Sequence, residues 1–119
     1  MRTMDLLEGI EFRERSANAQ PLFVDNNGRV LRFALKPGQR IAEHRAPGTP
    51  LYIVVLQGYG VFTGGDGEEV EVGPHSLLIF DPGENHSVRA KDEEFVFLGI
   101  LHGVPDSREG KTGGVLGRE

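Results

Sequence analysis

Apolar and polar residues alternate along this chain in short bursts, each closed by glycine, proline, asparagine or aspartate. Pro21–Val24 ends in Asp25-Asn26-Asn27-Gly28, a composition suited to the positive φ angles of a tight hairpin. Arg29–Leu35 sets Leu31, Phe33 and Leu35 on one side and Val30, Arg32 and Ala34 on the other. That period of two predicts a strand with one buried face. Lys36-Pro37-Gly38 turns the chain, Gln39–Arg45 reads as the next strand, and Ala46–Pro50 as a loop. Leu51–Leu56 is almost wholly apolar and predicts a central strand buried on both sides. Val61–Thr63, Glu68–Val72, Ser76–Phe80, His86–Ala90 and Glu94–His102 follow, separated by Gly64–Gly67, Gly73-Pro74 and Asp81–Asn85. Turn signals every eight to twelve residues, with no helical period between 21 and 102, predict an all-β antiparallel sandwich or barrel of nine or ten strands. Residues 21–102 form the barrel, after an N-terminal segment 1–20 and before a Gly-rich tail 103–119 that reads as mobile. Within the first segment, Asp5–Phe12 reads either as a short helical turn capped by Asp5 or as an edge strand.

Composition narrows the function classes. Of 119 residues, 17 are glycine and 7 proline, and Gly28, Gly38, Gly48 and Gly58 fall at ten-residue intervals that mark the turns. Cysteine is absent, which excludes disulfides, zinc ribbons, iron–sulfur clusters and a thiol nucleophile. A formal charge of −5 and a pI near 5.4, without any basic cluster, argue against nucleic acid and anionic membranes as partners. The apolar runs fall far short of a bilayer span, and Met1–Gly9 lacks the apolar stretch of a secretory leader. A single soluble, cytoplasmic domain is expected.

The Gly64–Gly67 turn joins two strands and opens no helix, so it does not read as a phosphate loop. Glu68, Glu69 and Glu71 alternate with valines and read as a solvated hairpin. Ser76 and Ser87 have no partners in sequence for nucleophilic chemistry, and Tyr52, Tyr59 and Phe62 read as packing residues. Histidine is the one side-chain type here that titrates near neutrality inside a barrel.

Two stretches resemble a known family. Gly38, His44 and Gly58 match the first cupin motif, in which a glycine precedes His-x-His by five residues and a glutamate precedes a closing glycine by six. Pro74–His86, ending in Asp81-Pro82-Gly83-Glu84-Asn85-His86, resembles the second, where a Pro-Gly turn precedes a histidine. The likeness runs from about Leu31 to His102 and implies a double-stranded β-helix of jelly-roll type. Cupins commonly hold iron, manganese, nickel or zinc with two histidines and a glutamate from the first motif and one histidine from the second. His44 and His86 stand at two of those positions, whereas Ala46 replaces the second histidine and Leu51 the glutamate. His75 stands where the family has glycine, Asp81 replaces its first proline and Ala90 its last asparagine.

Two imidazoles with water hold a divalent metal weakly, since such ions usually take about three protein ligands. Glu43 should point away from its neighbour His44, His102 reaches the interior only if its strand parity allows, and His75 lies at a turn. The resemblance therefore supports a small molecule held in a cavity lined by His44, Leu51, Ile53 and His86, with any metal on His44 and His86 and only weakly bound. The alternative is a metal-dependent cupin enzyme, of dioxygenase or isomerase type, using the same two histidines. Small cupins generally pair as homodimers through their sheets, and residues 1–35, outside the motifs, are the expected contributors.

Overall fold

The computed structural model describes residues 1–103; the Gly-rich tail expected from 103 onward lies, after Gly103, outside them. Nine strands follow one another: β1 (Asn18–Asp25), β2 (Gly28–Leu35), β3 (Arg40–His44), β4 (Leu51–Gln57), β5 (Gly60–Thr63), β6 (Glu69–Val72), β7 (Leu77–Phe80), β8 (His86–Ala90) and β9 (Phe95–His102). They form two sheets in which every pairing is antiparallel, ordered β1-β2-β9-β4-β7 and β3-β8-β5-β6. Consecutive strands repeatedly change sheet, which is the jelly-roll path that the motifs imply. Among the described residues no helix is long and apolar enough to cross a membrane.

The inner faces meet over a core of Leu31, Phe33, Leu35, Leu51, Ile53, Val55, Phe62, Phe80, Phe95 and Phe97, among others. Aromatic rings fill its centre: Phe33 stacks on Phe97 at 4.9 Å, and Phe62 touches Phe80, Phe95 and Phe97. The hairpin at Asp25–Gly28 forms because the Asp25 carboxylate accepts the N–H groups of Asn27 and Gly28 at 2.8 and 3.1 Å.

Three expectations need correction. Burial on both sides belongs to β9, the middle strand of its sheet, and not to β4. On β4, Leu51, Ile53 and Val55 are buried but Tyr52, Val54 and Leu56 remain half-exposed, because nothing described covers that outer strip. The face of β2 that alternation left to solvent is buried as well, with Arg32 at 3% and Ala34 at 2% exposure. Residues 6–9 lie across it, and the Arg32 guanidinium donates to the carbonyls of Leu6, Glu8 and Gly9 and to Gln20 Oε1 at 2.7–3.0 Å. Asp5–Phe12 forms neither helix nor edge strand: residues 6–9 make a single turn, and Asp5 takes the capping role expected of it, its Oδ1 accepting the Leu7 N–H at 2.9 Å.

His75 is exposed, as its turn position suggests, and is the one non-glycine residue described with positive φ, at 73°. The cupin motif's usual glycine there avoids a left-handed penalty of ~1–2 kcal/mol. A His75→Gly variant is expected to be more stable by roughly 0.5–1 kcal/mol, after the unfolded-state entropy of glycine is deducted. Chemical denaturation checks this, and a lower midpoint counts against it.

Candidate functional site

β3 and β8 lie side by side, with Arg40 opposite Arg89, Ile41 opposite Val88 and His44 opposite His86. Between the last two pairs β3 advances three residues while β8 advances two. Ile41 packs against the core, so plain alternation from it would turn Glu43 inward and His44 outward. The extra residue reverses this, which is how a bulge re-aims a side chain. Glu43 is left exposed and His44 half-buried against its partner.

The two rings meet at 67° with centroids 4.3 Å apart, and their Nε2 atoms are separated by 3.1 Å. Each Nδ1 faces a backbone carbonyl, Ala42 O at 2.8 Å for His44 and Glu84 O at 3.0 Å for His86. A carbonyl can only accept, so both Nδ1 atoms carry hydrogen and the Nε2 contact needs a third. Two neutral imidazoles supply only two hydrogens. His86 is 5% exposed beneath the Phe80 ring, at 4.9 Å. Burial, and after it the nearby His44, push the His86 pKa down to about 4, so this ring is neutral at pH 7.

Glu84 fixes the loop that carries His86. Its carboxylate accepts the Gly65 and Asp81 N–H groups, both at 2.9 Å, and these bonds hold its pKa below the usual range, Gly65 contributing most. This explains Gly64-Gly65: a Cβ on Gly64 would meet Glu84 Oε2 at 2.9 Å, and one on Gly65 would meet Glu84 Cγ at 3.0 Å. The glycines admit a crossing carboxylate as well as a hairpin. A Glu84→Ala variant is expected to lose roughly 1–2 kcal/mol, the worth of its two charge-assisted bonds near the surface. It should also shift and broaden the His86 ring signals in NMR; unchanged signals would separate the clamp from the imidazole.

The residues do not fit a permanently held metal. Among the described residues no group of three or more histidine or acidic side chains converges. The two missing ligand positions are filled with apolar packing, Ala46 at 3% and Leu51 at 2% exposure, both within the core. Ala46 contributes its carbonyl instead, accepting the Gly83 N–H at 3.1 Å and tying the second-motif turn to the first motif.

Of the residues expected to share a cavity, His44 and His86 are in direct contact. Leu51 lies opposite Phe80 in register, and Ile53 opposite Leu78 and Gly99, both fully packed. A cleft of about 190 Å³ opens beside them, where Phe62, Phe80 and Glu84 are among the walls. Larger clefts of about 330 and 350 Å³ flank β3 and share Arg40–Glu43. None of these three clefts has His44, Leu51, Ile53 or His86 in its walls. Leu101 faces the core, so His102 points outward, where it stacks on Tyr52 at 5.4 Å and meets its hydroxyl at 3.1 Å. The acidic hairpin forms ion pairs on the outer sheet face, Glu69 with Arg89 and Glu71 with Lys91, each at 2.7 Å. Arg32 and Glu84 are the structural keystones that residue types alone did not reveal, since both act through backbone groups of segments distant in sequence.

Solved structures share this architecture. A double-stranded β-helix protein from Klebsiella pneumoniae matches with a TM-score of 0.80 at 21% identity, over 86% of this chain and 90% of its own. An RmlC-like cupin from Desulfovibrio desulfuricans matches at 0.74 and 27% identity, over 85% and 96%. A protein from Thermotoga maritima, described as a predicted oxalate decarboxylase, matches at 0.61 and 25% identity, over 66% and 69%. No curated protein sequence matches the chain. The family model of the cupin domain matches residues 31–101, more than half the chain and the span that holds both histidines. With that match and this strand order, the chain belongs to the cupin domain family.

Proposed function

We propose that this cupin binds a small molecule carrying an acidic O–H or N–H, which it holds against the His44–His86 pair. One observation carries the reading: with each Nδ1 turned to a backbone carbonyl, both Nε2 atoms face one point, 3.1 Å apart, where a donor hydrogen is welcome. Burial keeps a solvent proton off His86 at neutral pH. A ligand's acidic donor meets that point at lower cost, because its proton arrives with the negative charge that balances it.

The test is calorimetry with small carboxylic acids and enolisable diketones in two buffers of different ionisation enthalpy. Uptake of one proton by the complex above neutral pH is expected, with binding lost in His44→Ala and His86→Ala. Binding that ignores both substitutions would sink the reading.

A second reading, an enzyme that takes up a metal on His44 and His86 only weakly, draws on the 3.1 Å Nε2 separation. Two ligands each ~2.1 Å from one cation, at about a right angle, stand that far apart. The similarity to the Thermotoga maritima protein, described as a predicted oxalate decarboxylase, favours an enzyme without naming a metal. Elemental analysis of protein purified without a nickel column decides between them. Near-stoichiometric iron, manganese, nickel or zinc, lost in the double His→Ala variant, favours the enzyme.

A further inference from the structure

The hairpin between β1 and β2 carries a reactive pair of residues that the packing does not allow to change. An asparagine is most open to attack by the next backbone nitrogen when glycine follows it, because glycine has no Cβ to crowd the approach. Of Asn18, Asn26, Asn27 and Asn85, only Asn27 precedes a glycine. Asn27 is exposed, and among the described residues no partner holds its side-chain amide. Asn18, by contrast, is buried, and its amide donates to the Glu11 carbonyl at 2.9 Å. Gly28 pairs with His102 at the end of β9, and a Cβ on it would run into the Leu101 carbonyl. Packing thus requires the very residue that leaves Asn27 open to attack.

We propose that Asn27 is a modification site that deamidates through a succinimide, with the Asp25 carboxylate as the brake on the reaction. The Gly28 backbone nitrogen gives its hydrogen to hydroxide and attacks Asn27 Cγ. A new Cγ–N bond closes the ring, the Cγ–Nδ2 bond breaks, and ammonia leaves with a proton taken from water. Water then opens the ring at either carbonyl. Breaking the new Cγ–N bond yields aspartate; breaking the original peptide bond yields isoaspartate, whose main chain runs through Cβ. One water is consumed, one ammonia is released, one negative charge is gained, and nothing is oxidised or reduced. Asp25 opposes the first step. Its Oδ1 accepts the Gly28 N–H at 3.1 Å, and its charge both retains that hydrogen and repels the amide anion that must form. The same oxygen accepts the Asn27 N–H at 2.8 Å, so the nitrogen that would attack Asn26 is held more closely. The isoaspartate product undoes the turn. It lengthens the main chain, displaces the Asn27 carbonyl that accepts the Gly103 N–H at 2.8 Å, and sets a second carboxylate near Asp25.

The test follows the full-length chain in mildly alkaline buffer over time, with circular dichroism to confirm folding. Tandem mass spectrometry of tryptic peptides locates each new acid, and labelling by an isoaspartyl methyltransferase measures the isoaspartate. Conversion is expected first at Asn27, with isoaspartate among the products and a rate that rises with pH. Asp25→Ala should convert about 10-fold faster, the barrier equivalent of one exposed charge-assisted bond. Asp25→Ser, which keeps a neutral acceptor, should fall between the two, and carries the comparison if Asp25→Ala unfolds. Asn27→Gln, whose longer side chain disfavours the ring, should stay unmodified at that position. Conversion at Asn27 no faster than at the other three asparagines, aspartate formed without isoaspartate, or a rate unchanged by loss of the Asp25 carboxylate would each overturn the proposal.

Discussion

An Arg32→Met variant is expected to lose about 3–4 kcal/mol of folding stability, although it keeps the aliphatic stem that packs in the sheet. The guanidinium is 3% exposed and has four oxygen acceptors within 3.0 Å, three of them backbone carbonyls of residues 6–9. Leaving four such acceptors unpaired in place would cost ~1–3 kcal/mol each, a sum comparable to the whole stability of a small domain. The segment will instead lift into water, so the loss is limited to what its docking contributes. Urea denaturation measures the loss, and limited proteolysis should show new cleavage within residues 1–12. Arg32→Lys, with a charge but no planar fork, should fall between the two. A variant as stable as wild type and equally protected would show that the segment is held by apolar contact alone.

The second large effect is on pH dependence. His86 has its pKa depressed to about 4, against an ordinary value of 6.5 in the unfolded chain. Protons therefore bind the unfolded state more readily, and stability is full above pH 6.5 and declines as pH falls toward 4. The difference approaches about 3 kcal/mol at and below pH 4. His86→Gln, which is neutral throughout, should remove most of this slope while leaving the contribution of carboxylates such as Glu84. Denaturation midpoints of both proteins between pH 7 and pH 4 make the comparison. Parallel curves would mean that His86 is solvated, or already protonated, in the folded state.

Much of the fold was legible because turns and alternation are local. Gly38, Gly58 and Gly83 were assigned to turns, and each has a φ close to 80°. At Gly58 the demand is double, since a Cβ there would also run into the Glu94 carbonyl. His86–Ala90 appears with the boundaries that its neighbours imply. Errors arose where the cover over a face comes from elsewhere in the chain. Alternation can say that Arg32 opposes Phe33, but not that residues 6–9 lie on it. Apolar content can say that Leu51–Leu56 is buried, but not that one side stays bare.

The candidate site divides along the same line. The choice of His44 and His86 followed from motif spacing in the sequence, as did the replacement of two usual ligands by Ala46 and Leu51. That the rings touch was decided by the bulge in β3, which reverses side-chain parity between Ile41 and His44. Pattern cannot foresee a bulge, because the extra residue is accommodated by pairing with β8, some forty positions away. The depressed His86 pKa is likewise a property of burial beneath Phe80 and beside His44. Local chemistry along the chain set the strands, the turns and the two imidazoles. Long-range packing set which faces meet water and how far apart the two nitrogens stand, because burial and register depend on residues that come together only in the fold.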